Sequence, residues 1–309
     1  MTTIYLHIGM PKTGTTSLQN FLFDNREKLL DKGYLYPLLG MRSTRNITDF
    51  NHHGLANALL KKYDTKTPVG NAKSKSEWEG SWEELKKQIN TIKPKNVIIS
   101  SEIFTTTKYF YNSNTIALVK KILEEHETKI VIYLRRQDDF LRSLYCQFMK
   151  SPLPNKVPNT ILLTENHTNK NMAKIREFVG ELKYQANYHS TLELWKNSFG
   201  IKSVIVRVFE KEQMRNGNVV DDFLATINFT LKDGNKSLKF SDFKNVSYSG
   251  KVIKLINLIE SASQIRRLPK GKYWYLYTKF AFLRMDSRIK LAMLLSRFIP
   301  DFLVSEELL

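Results

Sequence analysis

Residues 9–17, with the sequence GMPKTGTTS, combine two glycines, one lysine and four hydroxyl side chains. Glycine lets a backbone turn tightly and approach a ligand closely, whereas lysine supplies a mobile positive charge. The hydroxyl residues Thr15, Thr16 and Ser17 come where a pattern of helical spacing begins. A helix that starts here would present free amide groups and the positive end of its dipole to an anion. These residues therefore predict a site for a phosphate group.

The lysine of this segment lies in an unusual place. Gly9 and Gly14 have the spacing of the Walker A loop G-x-x-x-x-G-K-[ST], but Thr15 stands where that loop has its lysine. The lysine of this segment, Lys12, lies inside the loop instead, directly after Pro11. The pattern predicts a nucleotide-phosphate site, but not an ordinary magnesium–ATP site.

The segment PKTGTTSLQNFL resembles the 5′-phosphosulfate loop of the sulfotransferases that use 3′-phosphoadenosine 5′-phosphosulfate (PAPS). That family has its loop lysine where this chain has Lys12, and the longer segment HIGMPKTGTTSLQ is most similar to the bacterial, carbohydrate-modifying branch. The resemblance implies that Lys12 stabilises the leaving group during transfer. The cofactor-binding residues that it implies in the loop are Pro11, Lys12, Thr13, Gly14, Thr15, Thr16 and Ser17.

A second motif follows the apolar segment 129–134. Arg135 and Ser143 are eight residues apart, as are the arginine and serine that hold the 3′-phosphate of PAPS in the same family. Arginine offers a planar fork of donors to a dianion, and a hydroxyl on the following helix adds one bond. Arg136 is the alternative if the register differs by one residue. The resemblance therefore implies a 3′-phosphate site about 120 residues after the loop.

The acceptor hydroxyl of such an enzyme needs a base, and three side chains are candidates. Glu102 follows the predicted strand and Ser101, where a parallel sheet would carry its ligand. This carboxylate would suit a base if partial burial raised its pKa towards neutrality. His53 ranks second and His52 third, since histidine titrates near working pH but adjacent side chains point in different directions. His7 is expected to pack in the core.

Strands and helices must alternate to position these residues. Strand patterns occupy residues 3–8, 96–101, 129–134 and 203–208. Helical patterns occupy residues 16–31, 82–91, 114–126, 138–149, 171–180, 190–199, 219–227 and 250–262. This alternation predicts an α/β fold, in which a central parallel sheet is flanked by helices and binds ligands at the carboxyl ends of its strands. The resemblance makes this a three-layer P-loop-like fold.

The length favours a single sulfotransferase-like domain over residues 1–309. Polar segments 64–80 and 151–170 interrupt the alternation and are expected to be mobile lid insertions. The C-terminal region 250–309 is expected to be helical, and its part 266–297 holds nine basic residues and one acid among aromatic residues. This part is a candidate contact for the 3′-phosphate, an anionic glycan or a membrane surface, with a packed amphipathic helix as the alternative.

The composition favours an anionic partner, because 48 basic and 30 acidic residues give a net charge of +18. No zinc-finger, RNA-binding or helix-turn-helix pattern is evident, so nucleic acid is not an expected partner. The single cysteine, Cys146, excludes an intramolecular disulfide and a cysteine zinc cluster. No signal peptide or apolar run of about 18 residues is evident. We therefore expect a cytoplasmic protein, with peripheral contact at the inner face of the membrane as an option.

Together these patterns predict a PAPS-dependent O-sulfotransferase that acts on a hydroxyl of a saccharide or glycolipid, without a metal ion. Tyr188 is the candidate for stacking on the adenine ring, and Trp195 is a second candidate for which core packing is as good an interpretation. Two alternatives remain open. One is an ATP-dependent P-loop kinase, and the other is a basic nucleotide-binding or membrane-binding protein without turnover.

Overall fold

The computed structural model describes residues 1–44, 47–60, 80–106, 110, 112–150, 185–230 and 238. The chain divides into two compact units, of which the first comprises Met1–Phe140 and Lys183–Asn245 and the second Leu141–Leu182 and Val246–Leu309. Only residues 141–150 of the second unit are described. Segments 151–170 and 250–309, the predicted helix 171–180, and segment 64–80 apart from Gly80 lie outside the described residues. The single domain stays a prediction.

Seven strands occur in the described part of the first unit. Their bounds are β1 (Thr3–His7), β2 (Tyr34–Leu35), β3 (Arg42–Thr44), β4 (Ile47–Asp49), β5 (Asn96–Ser100), β6 (Glu127–Leu134) and β7 (Val204–Val208). Five of them form one sheet in the order β2-β5-β1-β6-β7, and every neighbouring pair in this sheet is parallel. Strands β3 and β4 form a separate antiparallel pair. The predicted parallel α/β sheet is confirmed.

Helices connect and flank these strands. Their bounds are α1 (Thr15–Asp24), α2 (Arg26–Asp31), α3 (His53–Leu60), α4 (Ser81–Ile92), α5 (Ile103–Thr106), α6 (Ser113–Ile122), α7 (Gln137–Lys150), α8 (Tyr188–Phe199) and α9 (Val219–Thr226). The prediction of one helix over 16–31 is wrong, because the chain leaves helical geometry at Asn25. The side chain of Asn25 donates to the carbonyl of Phe21 at 2.8 Å, and a second helix follows.

Both faces of the sheet are covered, which explains why β1 and β5 are almost continuously apolar. On one face, Tyr5 and Ile98 pack in a cluster with Phe21 of α1 and Phe223 of α9. A separate aromatic group holds Trp195, which is fully buried against Phe104 and Phe199. Core packing is therefore the structural role of Trp195. The central strand β1 ends between its two neighbours and leads directly into the glycine loop.

Candidate functional site

The loop between β1 and α1 is shaped by its two glycines. Gly9 and Gly14 have φ angles of +44° and +74°, in the left-handed region that favours glycine. A Cβ atom on Gly9 would lie 3.2 Å from Cγ of Glu102, and one on Gly14 would lie 3.1 Å from the ring of Phe209. Gly14 is also the N-cap of α1 and offers no side chain to its amide groups. These amides can therefore serve a bound anion.

Lys12 adopts the same left-handed backbone, with a φ of +66°. This conformation costs a non-glycine residue on the order of 1 kcal/mol, and such strain is often found at functional sites. The carbonyl of Lys12 accepts a hydrogen bond from Nη1 of Arg135 at 3.2 Å. The half-buried Pro11 precedes Lys12 and has a fixed φ of its own. The loop is thus held in place both by its own sequence and by the guanidinium of Arg135, which follows β6.

The four hydroxyl side chains of the loop differ in their surroundings. Thr13 is buried and donates to the carbonyl of Met10 at 2.6 Å. Thr15 is buried and bonds the carboxylate of Glu102. Since a hydroxyl has one proton to donate, Thr13 and Thr15 are engaged within the protein. Thr16 is exposed and Ser17 half-buried. Of the four, Thr16 is the one whose side chain is exposed, and the phosphate roles of all four stay predictions.

Arg135 follows the carboxyl end of β6 and is half-buried beside the loop. Its guanidinium lies over the ring of Phe209, 5.9 Å from the ring centre. Its backbone carbonyl accepts a hydrogen bond from the hydroxyl of Tyr188 at 2.8 Å. Burial raises the pKa of Tyr188 to about 12, so this hydroxyl keeps its proton at neutral pH. The structure brings the loop, Arg135 and Tyr188 together, and the stacking role of Tyr188 stays a prediction.

The alternative arginine points elsewhere. The side chain of Arg136 is 65% exposed and pairs with Asp138 at 2.8 Å. Arg135, not Arg136, is therefore the arginine that contacts the loop. Ser143 lies on α7 but belongs to the second unit, so its place at the 3′-phosphate stays a prediction.

Glu102 lies just beyond the end of β5, against the loop. Its side chain is 17% exposed, and Oε2 lies 3.1 Å from Nε2 of Gln19 and 3.7 Å from Nε2 of His53. Burial pushes the pKa of this carboxyl up, but attraction by His53 and hydrogen bonds from Thr15 and Gln19 outweigh burial and hold the pKa below its ordinary value. The condition of a pKa raised towards neutrality is therefore not met, because partners from α1 and α3 stabilise the ionised form.

The adjacent histidines point in different directions, as expected. His53 is 34% exposed on the side of Glu102, and its Nδ1 lies 2.8 Å from Oγ of Ser101. His52 is fully buried; its Nδ1 accepts from the amide of Ser100 at 3.0 Å, which leaves Nε2 to donate to the carbonyl of Pro37 at 2.8 Å. Burial lowers the pKa of His52 to about 4. His52 therefore fixes the start of α3 and does not face the site.

His7, the last residue of β1, is buried as predicted. It lies at the edges of the rings of Tyr133 and Phe223, and its Nδ1 is 2.8 Å from Oγ of Ser100. Burial lowers its pKa to about 4, against an opposing effect of Glu102. Both His7 and His52 are thus neutral in the fold at neutral pH.

We expect the stability of the protein to fall on mild acidification because of His7 and His52. Their folded-state pKa values are depressed to about 4, so between that value and the ordinary one of about 6.5 the unfolded state binds more protons. The free energy of unfolding should then drop by about 2 kcal/mol per histidine between pH 7 and pH 5. Urea unfolding at the two pH values measures this drop. His52→Gln should reduce the drop, and a stability independent of pH in this window would contradict the burial of neutral histidines.

Sequence reasoning missed two residues of this site. Gln19 contacts Glu102, and a signal was available, since Gln19 lies four residues after Thr15 and therefore on the same helix face. Phe209 underlies both Gly14 and Arg135, and it directly follows a predicted strand at the carboxyl edge of the sheet. Their partners come from distant parts of the chain, which no local pattern identifies.

Among the described residues, no three His, Cys, Asp or Glu side chains are grouped so that they could hold a metal ion. The described helices also include none that is both long enough and apolar enough to cross a membrane.

Comparison with known proteins gives limited similarity. No family model matches the chain. An uncharacterized protein of Archaeoglobus fulgidus is 33% identical over 137 residues, which are 44% of this chain and 31% of that protein. The match thus spans less than a third of the length of that relative. The crystal structure of a sulfotransferase from Alicyclobacillus acidocaldarius aligns with 84% of this chain and 89% of its own, with a TM-score of 0.44 and 14% identity. A similarity at this TM-score carries no argument about activity.

Proposed function

We propose that the protein transfers the sulfuryl group of PAPS to a hydroxyl of a carbohydrate or glycolipid acceptor by in-line displacement. One observation carries the proposal, namely the hydrogen bond from Arg135 to the carbonyl of Lys12. The two residues come from separate motifs, 123 residues apart. The loop residues by themselves suggest a phosphate contact, and the resemblance implies one at Arg135. The meeting of the two motifs supports one nucleotide site with two cationic groups.

The residues of the loop fit a nucleotide phosphate. Gly9 and Gly14 have positive φ angles, and a Cβ atom on Gly9 or Gly14 would crowd Glu102 or Phe209, so the shape of the loop favours glycine at both positions. The first amides of α1 have no side-chain cap from Gly14 and face the same loop. Lys12 and Arg135 add positive charge there. In this proposal the α1 amides and Thr16 hold the 5′-phosphate, and Arg135 holds the 3′-phosphate.

PAPS supplies the sulfuryl group and leaves as 3′,5′-ADP, as the acceptor oxygen bonds to sulfur and the bond from sulfur to the 5′-phosphate oxygen breaks. The ammonium group of Lys12 stabilises the negative charge that develops on that phosphate oxygen. The proton of the acceptor hydroxyl passes to Glu102 or His53, whose Oε2 and Nε2 atoms are 3.7 Å apart. We favour Glu102, because its carboxylate is ionised at neutral pH and its side chain lies directly against the loop. The lowered pKa makes this carboxylate a weaker base than one with a raised pKa.

The acceptor class rests on the resemblance of the loop sequence to the carbohydrate-modifying branch. A saccharide or glycolipid with negative charge would also match the net charge of +18. Peripheral contact with a membrane remains part of this proposal as a way to reach a glycolipid.

One observation favours a second candidate, a P-loop kinase. The hydroxyl of Thr15 bonds the carboxylate of Glu102, which follows the neighbouring strand β5. A hydroxyl at the start of the loop helix and a carboxylate on another strand are the groups that hold Mg²⁺ in P-loop NTPases. If Gly14 is aligned, Thr15 stands where the Walker loop has its lysine, and Lys12 lies three residues before that position, which argues against this candidate.

Calorimetric titration distinguishes the two donors. The wild-type chain is titrated with 3′,5′-ADP in the presence of EDTA, and separately with ATP in the presence of excess Mg²⁺. The sulfotransferase proposal predicts that 3′,5′-ADP binds without metal and at least about tenfold more tightly than ATP, since a 3′-phosphate adds charge-assisted bonds. Tighter binding of ATP that is lost in EDTA would support the kinase and contradict the proposal.

The variant Arg135→Ala tests the 3′-phosphate contact. We expect the affinity for 3′,5′-ADP to fall by about 10- to 100-fold, because a bond between charged groups contributes about 1.5 to 3 kcal/mol. The affinity for 5′-AMP should fall less, since only the bond to the Lys12 carbonyl is then lost. Arg136→Ala is the matched control and should change neither affinity. Equal losses for both nucleotides in Arg135→Ala would mean that Arg135 acts on the loop alone.

A further inference from the structure

Gln19 is a buried amide that joins the loop helix to the carboxylate beside the loop. Gln19 lies in α1, and the residue as a whole is 4% exposed. Its Nε2 is 3.1 Å from Oε2 of Glu102 and 3.1 Å from Oγ of Ser100. An amide nitrogen carries two protons, so both bonds can form at once. Thr15, one turn earlier in α1, bonds the same carboxylate. Helix α1 therefore holds Glu102 at two points.

The bonds continue from Ser100 into the core. Since Oγ of Ser100 accepts from Gln19, its own proton can be donated to Nδ1 of His7, 2.8 Å away. This requires a neutral imidazole with its proton on Nε2, which agrees with the full burial of His7. Nε2 is buried without a hydrogen-bond partner. Burying this ring nitrogen without a partner costs free energy. The burial of His7 is explained if its other ring nitrogen directs the Ser100 hydroxyl.

We propose that Gln19 is a positioning residue, which holds the Glu102 carboxylate against the loop and is itself oriented by Ser100 and His7. The inference rests on the proposed function, in which Glu102 accepts the acceptor proton. The same helix presents its first amides to the loop and its side chains of Thr15 and Gln19 to Glu102. One helix therefore contacts both the phosphate cradle and the base.

Other titratable groups around Glu102 must be considered in a test by pH. His53 faces it from α3, and His7 lies nearby in β1. Tyr36, after β2, interacts with it electrostatically, but burial raises the pKa of Tyr36 well above its ordinary value, and its hydroxyl donates to the carbonyl of Phe50 at 2.6 Å. Tyr36 thus stays neutral in the range of interest. The titration of Glu102 in a Gln19 variant must therefore be compared with that in the wild-type chain, with His53 and His7 unsubstituted in both.

The test is an NMR titration of isotope-labelled glutamate carboxyl groups in the full chain, with the Glu102 signal assigned by its loss in Glu102→Gln. Gln19→Leu should raise the pKa of Glu102 by about one unit, because a bond from a neutral donor to a charged acceptor is lost. If Gln19→Leu does not fold, Gln19→Met removes the same amide with a straighter side chain. The matched control is Gln213→Leu, which removes an exposed amide bonded to Glu210 at 2.6 Å and should leave the Glu102 signal unchanged.

Variants of His7 test the rest of the chain of bonds. His7→Asn keeps an acceptor near the position of Nδ1 and should preserve the Glu102 pKa, whereas His7→Leu should raise it in the same direction as Gln19→Leu. If Gln19→Leu leaves the Glu102 titration unchanged, the proposal is overturned.

Kinetics separate this inference from the proposed function. In Gln19→Leu, the acid limb of kcat/KM for sulfuryl transfer should move up by the same amount as the NMR pKa of Glu102. A shifted NMR pKa with an unmoved acid limb would overturn the positioning role, because Gln19 would then not act through the base. If the wild-type chain transfers no sulfuryl group, the proposed function fails, and the NMR titration still decides whether Gln19 controls Glu102.

Discussion

Replacing Lys12 by glycine should lower the rate of sulfuryl transfer by about 100- to 1,000-fold, the usual cost of removing one group that stabilises charge in a transition state. The leaving 5′-phosphate would lose the cation that stabilises its developing charge. The fold should not suffer, because Lys12 has a φ of +66°, which glycine adopts without strain. Single-turnover rates with saturating PAPS measure the effect on chemistry, and urea unfolding measures the effect on the fold.

The chain offers a matched control for this substitution. Lys93 is an exposed lysine at the C-cap of α4 and has a φ of +53°. Lys93→Gly relieves the same kind of backbone strain, and either variant should raise the free energy of unfolding by about 1 kcal/mol at most. Lys93→Gly should transfer at the wild-type rate. Full activity in Lys12→Gly would remove Lys12 from the mechanism, and an equal loss in both variants would point to a backbone effect.

Replacing Glu102 by glutamine should lower kcat by about 100- to 10,000-fold, the range for loss of a general base. The affinity for 3′,5′-ADP should stay nearly the same, because the base contacts the acceptor and not the nucleotide in this mechanism. His53→Gln should have a smaller effect, since the ionised carboxylate of Glu102 remains. Rates under saturating PAPS and calorimetry with 3′,5′-ADP measure the two quantities. If His53→Gln alone abolishes turnover and Glu102→Gln does not, histidine is the base.

The pH dependence gives an independent distinction between the two bases. A base must be ionised, and the pKa of Glu102 is held below its ordinary value by His53, Thr15 and Gln19 against the effect of burial. With Glu102 as the base, kcat/KM should be flat from pH 8 down to about pH 5 and fall only below the ordinary glutamate value of about 4.3. An acid limb near the ordinary histidine value of about 6.5, lost in His53→Gln, would assign the reaction to His53.

Local patterns were enough to predict the strand, loop and helix at residues 3–24 and the parallel sheet, because a glycine loop, a strand end and a helix start each have a signature within a few residues. Arg135 was singled out by the resemblance of its motif, and its role stays a prediction. Strand β2 was missed, since a strand of two residues has no period to detect. The break at Asn25 was missed as well, because it rests on one side chain that bonds the carbonyl four residues earlier.

The electrostatics of the site could not be predicted in the same way. The pKa of Glu102 depends on His53, 49 residues before it, and on Gln19, 83 residues before it. Burial alone would have raised the pKa, as the sequence suggested, and only the three-dimensional contacts reverse the sign. The commitment of the Thr15 hydroxyl to Glu102 likewise follows from tertiary contact. The sequence therefore predicted the types of side chain at the candidate site, whereas tertiary packing determines their charge states and their hydrogen-bond partners.

The most direct test of the account is transfer from PAPS that carries a radiolabelled sulfuryl group. The wild-type chain is incubated with this donor in EDTA and with a panel of glycans, glycolipids and phenols, and the products are separated by chromatography. Sulfuryl transfer at the proposed site predicts label in a carbohydrate or glycolipid, formation of 3′,5′-ADP in equal amount, and loss of both in Lys12→Gly but not in Lys93→Gly. Absence of label from every acceptor, together with phosphoryl transfer from ATP in the presence of Mg²⁺, would contradict it.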